Sequence, residues 1–285
     1  PDTAVALRDA ATWVRTRLPG STVVVGITGS VGKTSTKDFA AVALGALRRV
    51  TANVRSFNNE QGLPVTVLNA PSDCEVLILE MGMRGFGQIA DLCRIARPGI
   101  GVVTRIGDAH TELVGGIEGV AQAKGELIEA LPPQGVAILN ADDVRVKALS
   151  ARTVASVVTY GEAPDSDVRI ERISMDPLGR ARAVIRYGDE SAELSLNIPG
   201  RHMVSNAAAA LAIGVSLGLP LASMATALSA SEVSAHRMHL MRSRIGALVI
   251  DDTYNANPTS MVAALEVLST VDAAVRIAVL GVMAD

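Results

Sequence analysis

Short apolar segments alternate with amphipathic segments through the first half of the chain. The apolar runs are rich in β-branched residues, and each is followed by a stretch whose apolar residues have helical spacing. A strand that is apolar throughout is typical of a parallel sheet with helices on both faces. The predicted strands are residues 23–28, 76–80, 100–106 and 135–140, and the predicted helices are a segment from residue 34 and residues 89–96, 117–131 and 142–149.

The ends of this alternating region have other patterns. Residues 3–18 have helical spacing after a cap at Asp2 or Thr3, and a Pro-Gly pair ends the pattern. Residues 154–198 contain short alternating runs broken by Gly, Pro and Asp, which predict a small antiparallel addition to the sheet. Two helices are predicted to follow, over residues 203–218 and 221–230.

The last fifty residues have the pattern expected for the beginning of a second domain. Strands are predicted over 238–244 and 247–252, a helix over 257–270 and a further strand over 275–281. An isolated β-α-β piece cannot bury its own apolar faces. We therefore expect one domain followed by the beginning of the next.

Composition narrows the class of protein. The 285 residues include 26 Lys and Arg against 29 Asp and Glu, which gives a net charge of −3, and only one Trp, three Tyr and three Phe. A slightly acidic chain with few aromatic rings argues against nucleic-acid binding. Two cysteines make no disulfide framework or zinc cluster, and no apolar run reaches the roughly 18 residues that span a bilayer. We expect a cytoplasmic protein without membrane insertion.

The clearest local motif is ITGSVGKTS, residues 27–35, between a predicted strand and a predicted helix. Gly29 and Gly32 permit a tight turn whose N–H groups point at phosphate oxygens. Lys33 would reach the terminal phosphates, and the hydroxyl of Thr34 would bind Mg²⁺. The generic pattern has a glycine where this chain has Ile27, so a plain glycine turn with a solvated lysine is the alternative.

Polar groups also follow the neighbouring strands. Glu80 ends the apolar run VLILE at the sheet edge where the phosphate loop lies, and could hold Mg²⁺ or cap the turn after it. His110 comes after the next strand and could share a second cation with Glu80, although a lone loop histidine is usually not a ligand. On its own pattern Lys124 is an ordinary solvated lysine of an amphipathic helix.

Together these residues resemble the Mur ligase family, ATP-dependent enzymes that add amino acids to the cell-wall precursor peptide. The family's phosphate loop has the form T-G-x-x-G-K-[TS], which residues 28–34 match, and the resemblance covers nearly the whole chain. It implies an α/β fold: a P-loop, doubly wound, mostly parallel sheet with a small antiparallel addition, followed by the start of a Rossmann-like C-terminal domain. It also implies a linker from a missing N-terminal domain over residues 1–20, a central ATP-binding domain over 21–240 and a truncated C-terminal domain over 241–285.

The resemblance implies ATP and two Mg²⁺ ions as cofactors. Nucleotide contacts would come from Thr28, Gly29, Ser30, Val31, Gly32, Lys33, Thr34, Ser35, Asn206 for adenine, Arg237 for phosphate, and Asp251 or Asp252 for ribose. The metal ligands would be Thr34, Glu80, His110 and a carbamylated Lys124, and the catalytic groups Lys33, Glu80, His110 and Lys124. The peptide substrate would meet Asn58, Asn59, Arg84 and Asn255.

Two segments favour one branch of the family. VIDDTYNANPTSM, residues 249–261, and FNNEQGLPVTVL, residues 57–68, are similar to the branch that joins D-alanyl-D-alanine to UDP-N-acetylmuramoyl-tripeptide through an acyl phosphate. The resemblance implies these two substrates and a monomer. The alternatives are another Mur-type or folylpolyglutamate-type ligase, and a nucleotide-binding scaffold without catalytic activity.

Overall fold

The computed structural model describes residues 2–54, 57–107, 111–230 and 236–283. In this part of the chain a nine-stranded sheet has the order β2-β3-β1-β4-β5-β6-β7-β8-β9. Its strands are β1 Val23–Thr28, β2 Val50–Ala52, β3 Val76–Glu80, β4 Ile100–Val103, β5 Val136–Asn140, β6 Ser156–Gly161, β7 Val168–Met175, β8 Arg180–Tyr187 and β9 Glu190–Pro199. A separate antiparallel pair is formed by β10 His239–Arg242 and β11 Leu248–Asp251.

Helices cover both faces of the large sheet. They are α1 Thr3–Arg15, α2 Lys33–Gly45, α3 Gly62–Leu68, α4 Gln88–Ala96, α5 Thr111–Val114, α6 Ile117–Glu129, α7 Val144–Ala148, α8 Arg201–Ser216, α9 Leu221–Ser229 and α10 Pro258–Thr270, with a short 3-10 turn over Leu149–Arg152. One apolar cluster includes residues of α2, α8 and α9, and the other includes residues of α3, α4 and α6. This is the doubly wound arrangement that the apolar strands predict.

The central strands explain why their sequences are apolar at every position. Val25 and Ile27 of β1 belong to the first cluster, and Val24 between them belongs to the second. In the neighbouring β3, Leu77 and Leu79 lie on the second side and Ile78 lies on the first. Because both faces of each strand are buried, the period-two alternation of a half-exposed strand does not occur.

The region after β5 differs from its prediction in one respect. Strand β6 pairs parallel with β5, and β7 also pairs parallel with β6. The antiparallel addition therefore consists of β7, β8 and β9, and it continues the main sheet. The predicted antiparallel region, residues 154–198, included β6, but the alternating runs on which that prediction rests correspond to β7, β8 and β9.

The prediction of a strand over residues 275–281 is wrong for this structure. These residues have no regular secondary structure, and the large apolar side chains there are exposed, with Val279 at 93%. A strand needs a neighbour to receive its backbone hydrogen bonds. Within the described ranges, no strand pairs with this segment.

The motif YNANP has a local structural role at the start of α10. The side chain of Asn257 accepts a hydrogen bond from the backbone of Ser260 at 2.9 Å, and the Ser260 hydroxyl accepts one from the Asn257 backbone at 3.1 Å. Pro258 occupies the first turn, where the missing N–H has no helical partner. Asn257, the fourth residue of the motif, therefore forms a capping box with Ser260.

None of the helices in the described ranges has the length and apolar character that crossing a membrane requires.

Candidate active site

The phosphate loop joins β1 to α2, as predicted. Gly29 has a φ of 150° and Gly32 a φ of 85°, so both lie where side chains are disfavoured. A Cβ atom on Gly29 would collide with the hydroxyl of Thr104, and one on Gly32 with the amide oxygen of Asn206. Both glycines are therefore required by conformation and by space.

The end of β4 fixes the shape of this loop. The backbone N–H of Ser30 donates to the carbonyl of Arg105 at 2.7 Å, and the Ser30 hydroxyl accepts from the N–H of Gly107 at 2.9 Å. The hydroxyl of Thr104 donates to the carbonyl of Val31 at 2.6 Å. These bonds hold the loop in one conformation.

Lys33 and Thr34 begin α2 beneath the loop. The Lys33 ammonium donates to the carbonyls of Gly29 at 2.7 Å and Ser30 at 3.3 Å, which places its charge beside the glycine turn. The Thr34 hydroxyl donates to Oε2 of Glu80 at 2.7 Å and accepts from Nη2 of Arg237 at 2.9 Å. Residues from three distant parts of the chain therefore meet at one hydroxyl group.

The Thr34 and Glu80 pair fits a magnesium ion. Both side chains are buried, with exposures of 3% and 1%. Mg²⁺ is commonly held by one or two protein oxygens together with phosphate oxygens and water. The described residues contain no cluster of three or more His, Cys, Asp or Glu side chains able to bind a metal.

Asn53 and Asn58 fix the position of Glu80. Asn58 donates to Oε1 of Glu80 at 2.8 Å, and Oδ1 of Asn53 accepts from the Glu80 backbone N–H at 2.8 Å. Asn53 also donates to the carbonyl of Phe57 at 2.6 Å, so it ties the segment before Asn58 to the end of β3. Asn53 was not predicted as a site residue. Its one sequence signal is an asparagine after a short apolar run.

Lys124 lies on the inner face of α6 and is 2% exposed. It lines the same cavity as the phosphate loop, so the interpretation as a solvated surface lysine is wrong. Burial, reinforced by the positive charge of Lys33, holds its pKa well below the usual value for a lysine. Among the described residues, no hydrogen bond or ion pair involves its amine.

The cavity has a volume of about 1740 Å³ and runs from the phosphate loop to the N-terminal turn of α1. The predicted residues that line it are Ser30, Val31, Gly32, Lys33, Thr34, Ser35, Asn58, Asn59, Glu80, Arg84, Lys124, Asn206, Arg237, Asp252 and Asn255. Thr28 and Gly29 shape the loop and do not line the cavity; the Thr28 hydroxyl donates to the carbonyl of Met81 at 2.8 Å. The predicted site residue His110 lies outside the described residues.

The structure distinguishes the two aspartates predicted for ribose. Asp252 lines the cavity, and burial raises its pKa. Asp251 does not line it: its carboxylate accepts from the Thr253 hydroxyl and pairs with His236, both at 2.7 Å. Of the peptide-contact candidates, Asn59 also has a local role, because its Oδ1 accepts from the backbone of Gly62 at 2.9 Å.

The part of the cavity around Asn206, the residue predicted to contact adenine, also contains polar groups that were not predicted as site residues. Asn206 on α8 lies beside Gly32. Next to it on the same helix is His202, whose pKa is lowered to about 4 by burial and by the positive charge of Arg105. Asn140 at the end of β5 also lines the cavity and donates to the carbonyl of Thr104 at 2.9 Å.

Comparison with known families decides the relationship. Residues 27–214 match the Mur ligase middle domain, and residues 236–285 match the Mur ligase, glutamate ligase domain. The chain belongs to the Mur ligase family. The family-level resemblance and the α/β fold class are therefore confirmed.

Relatives of this Mur ligase are named for one reaction. It is 45% identical to the UDP-N-acetylmuramoyl-tripeptide--D-alanyl-D-alanine ligase of Mycobacterium tuberculosis, over 93% of this chain and 52% of that protein. MurF from Acinetobacter baumannii superposes with a TM-score of 0.89 at 31% identity, covering 94% of this chain and 58% of that one. MurF from Thermotoga maritima in complex with ADP gives 0.85 at 28%, covering 94% and 61%. This chain spans about half the length of its curated relatives.

Proposed function

We propose that this chain is the nucleotide-binding core of a ligase that joins D-alanyl-D-alanine to UDP-N-acetylmuramoyl-tripeptide, with ATP as the phosphoryl donor. The names of the relatives support the two substrates. The observation that supports the chemistry is the meeting of Thr34, Glu80 and Arg237 beneath a phosphate loop. A hydroxyl, a carboxylate and a guanidinium are the groups that a magnesium-bound nucleoside triphosphate requires.

In this proposal the tripeptide carboxylate attacks the γ-phosphate and displaces ADP, which gives an acyl phosphate. The dipeptide amine then attacks the acyl carbon, displaces inorganic phosphate and loses a proton to form the amide. The protein must bring two anions together, so it has to neutralise charge. The Lys33 ammonium, already beside the glycine turn, would contact the terminal phosphates, and Arg237 would reach them from the opposite side. Bound Mg²⁺ supplies additional positive charge at the phosphates, held by Thr34 and Glu80.

Asn58 has two proposed roles. It holds Oε1 of Glu80, which leaves Oε2 directed at Thr34. It also lines the same cavity as Asn59, Arg84 and Asn255, which we propose contact the peptide. Arg84 would supply positive charge for a substrate that carries carboxylates. Asp252, the aspartate of the pair that faces the cavity, is the proposed partner of the ribose hydroxyls.

We further propose that Lys124 is carbamylated and helps His110 hold a second Mg²⁺ ion. A deprotonated amine can add to the carbon of CO₂ and lose a proton, which gives an N-carboxylate. The lowered pKa and deep burial of Lys124 support that chemistry. An unmodified amine close to Lys33 would add no negative charge for a cation.

The remaining assignments are also proposals. The domain boundaries are residues 1–20 for a linker, 21–240 for the central domain and 241–285 for the beginning of the C-terminal domain. We propose a cytoplasmic enzyme, because the substrates of the proposed reaction are nucleotide-linked metabolites. We also propose that it is a monomer.

The experiment measures phosphate release with ATP and Mg²⁺, using the chain joined to the flanking domains that its relatives carry. UDP-N-acetylmuramoyl-tripeptide and D-alanyl-D-alanine are added separately and together. Release that requires both substrates, and that is lost in Lys33→Ala, supports the proposal. Nucleotide binding without release would indicate another acceptor or an inactive scaffold, and release with glutamate as acceptor would indicate a folylpolyglutamate-type ligase.

A further inference from the structure

Arg237 is held in an unusual stretch of backbone. The residues on either side of it, His236 and Met238, have φ values of 64° and 52°, in the left-handed region. Two non-glycine residues in this region within three positions are strained, and strain of this kind persists where the surrounding structure imposes it. In the described part of the chain, the backbone N–H of Met238 and the carbonyl of His236 are both hydrogen-bonded to one loop.

That loop is residues 251–254 and begins at the last residue of β11. The N–H of Met238 donates to Oδ1 of Asp252 at 3.1 Å, and the N–H of Tyr254 donates to the carbonyl of His236 at 3.1 Å. The imidazole of His236 pairs with Asp251 at 2.7 Å. We call residues 251–254 and their contacts with residues 236–238 the clasp. Both flanks of Arg237 are bound by it.

The ring of Tyr254 lies against the guanidinium itself. The Cζ atom of Arg237 is 4.1 Å from the ring centroid, which is a cation–π contact. From this position Nη2 reaches the hydroxyl of Thr34 at 2.9 Å. The Nε atom of Arg237 is buried without a hydrogen-bond partner among the described residues, so one donor is left unused at the edge of the phosphate site.

We propose that Tyr254 is a positioning residue that holds Arg237 ready for the nucleotide phosphates. The clasp fixes the backbone, and the ring fixes the plane of the guanidinium. Binding then transfers a hydrogen bond from Thr34 to a phosphate oxygen and gives Nε an acceptor, while the side chain keeps its orientation. The inference rests on the proposed nucleotide site and adds a role for Tyr254, the tyrosine of the YNANP motif, which also lines the cavity.

The first test is the dissociation constant of a non-hydrolysable ATP analogue with Mg²⁺, measured by calorimetry. Tyr254→Leu removes the π face and should weaken binding about two- to fivefold, the range expected for a half-exposed cation–π contact. Tyr254→Phe keeps the ring and should restore affinity. In an Arg237→Ala background, Tyr254→Leu should have no further effect, because its action passes through Arg237.

Three results would overturn the proposal: unchanged affinity in Tyr254→Leu, a loss of the same size in Tyr254→Phe, or full additivity with Arg237→Ala. Additivity would indicate that Tyr254 contacts the nucleotide directly. The wild type, Tyr254→Leu, Arg237→Ala and the double variant are also compared in urea unfolding without nucleotide. If Tyr254 and Arg237 interact, the changes in unfolding free energy caused by the two single substitutions should not add up to that of the double variant. If the wild type binds no nucleotide, the proposed function fails, and this second cycle alone decides whether the clasp holds Arg237.

Discussion

The Thr34 hydroxyl donates a 2.7 Å hydrogen bond to Oε2 of Glu80, joining the first turn of α2 to the carboxyl end of β3. The two residues are 46 positions apart in the chain, yet both are buried at the mouth of the phosphate loop. In parallel sheets, ligands bind at this edge of the strands. The bond therefore marks the point where the fold brings together the two proposed magnesium ligands.

Glu80→Gln tests the charge at this point without changing side-chain shape. Glutamine keeps one acceptor oxygen, for Asn58 or for Thr34, while its NH₂ group cannot accept, and it offers no negative charge to a cation. We expect ATP affinity without Mg²⁺ to change little and the additional affinity that Mg²⁺ supplies to fall about tenfold or more. Glu190→Gln, an exposed position at the start of β9, is the matched control. An unchanged response to Mg²⁺ would remove Glu80 from the metal site.

Gly32→Ala tests the turn itself. The φ of 85° and the collision with Asn206 both oppose a methyl group, so unfolding free energy should fall by about 1–3 kcal/mol. Nucleotide affinity should fall as well, because the loop would shift. Gly45→Ala at the end of α2 is the control: its Cβ meets open space, and we expect it to be neutral or stabilising by about 0.5–1 kcal/mol. Equal stability of the two variants in urea unfolding would contradict the argument.

Much of the fold could be predicted because its signals are local. The apolar runs that form β1, β3, β4 and β5 indicate burial on both faces of the sheet by their own composition. The glycines of the phosphate loop indicate a tight turn. The parallel pairing of β6 with β5 and β7 could not be predicted, because the sequence of a strand does not identify the strands beside it. The segment 275–281 shows the same limit, because strand-forming residues form a strand only beside another strand.

Side-chain partnerships over long sequence distances were also beyond the sequence. Asn53 binds Glu80 across 27 positions, and Arg237 reaches Thr34 across 203. No spacing rule connects such residues. The family pattern predicted that Arg237 contacts phosphate. It did not predict the strained backbone around Arg237 or the contact between its guanidinium and the ring of Tyr254. The choice between Asp251 and Asp252 likewise depended on which carboxylate was already bound by His236 and Thr253.

Lys124→Ala tests the proposed carbamate. We expect ligase activity to be lost, because the variant has neither an amine nor a carboxylate at that position. Short-chain carboxylic acids should restore part of it by occupying the space left by the side chain. Lys147→Ala, which removes an exposed lysine paired with Asp165, should retain activity and show no response to the acids. Full activity of Lys124→Ala, or a loss that no acid restores, would contradict carbamylation.

His202 should make the stability of the protein sensitive to mild acid. Its pKa is about 4 in the folded protein, against about 6.5 for an unperturbed histidine. Between these values the unfolded chain binds more protons than the folded one, so unfolding free energy rises with pH through this window and falls as the solution is acidified. The loss begins as pH drops below about 6.5 and is complete below about 4. The difference between the two pKa values sets an upper limit of about 3 kcal/mol on the loss, and the partial exposure of the side chain makes the expected loss smaller.

The measurement is urea unfolding of the wild type and of His202→Gln between pH 7 and pH 4. Carboxylates contribute the same acid response to both proteins, so the difference between the two curves isolates the histidine. Glutamine cannot titrate in this range, and its curve should be flatter by the amount assigned to His202. His239→Gln, which changes an exposed histidine, should follow the wild type. Parallel curves for wild type and His202→Gln would mean that burial does not keep this imidazole neutral, and that His202 could carry a positive charge beside the nucleotide.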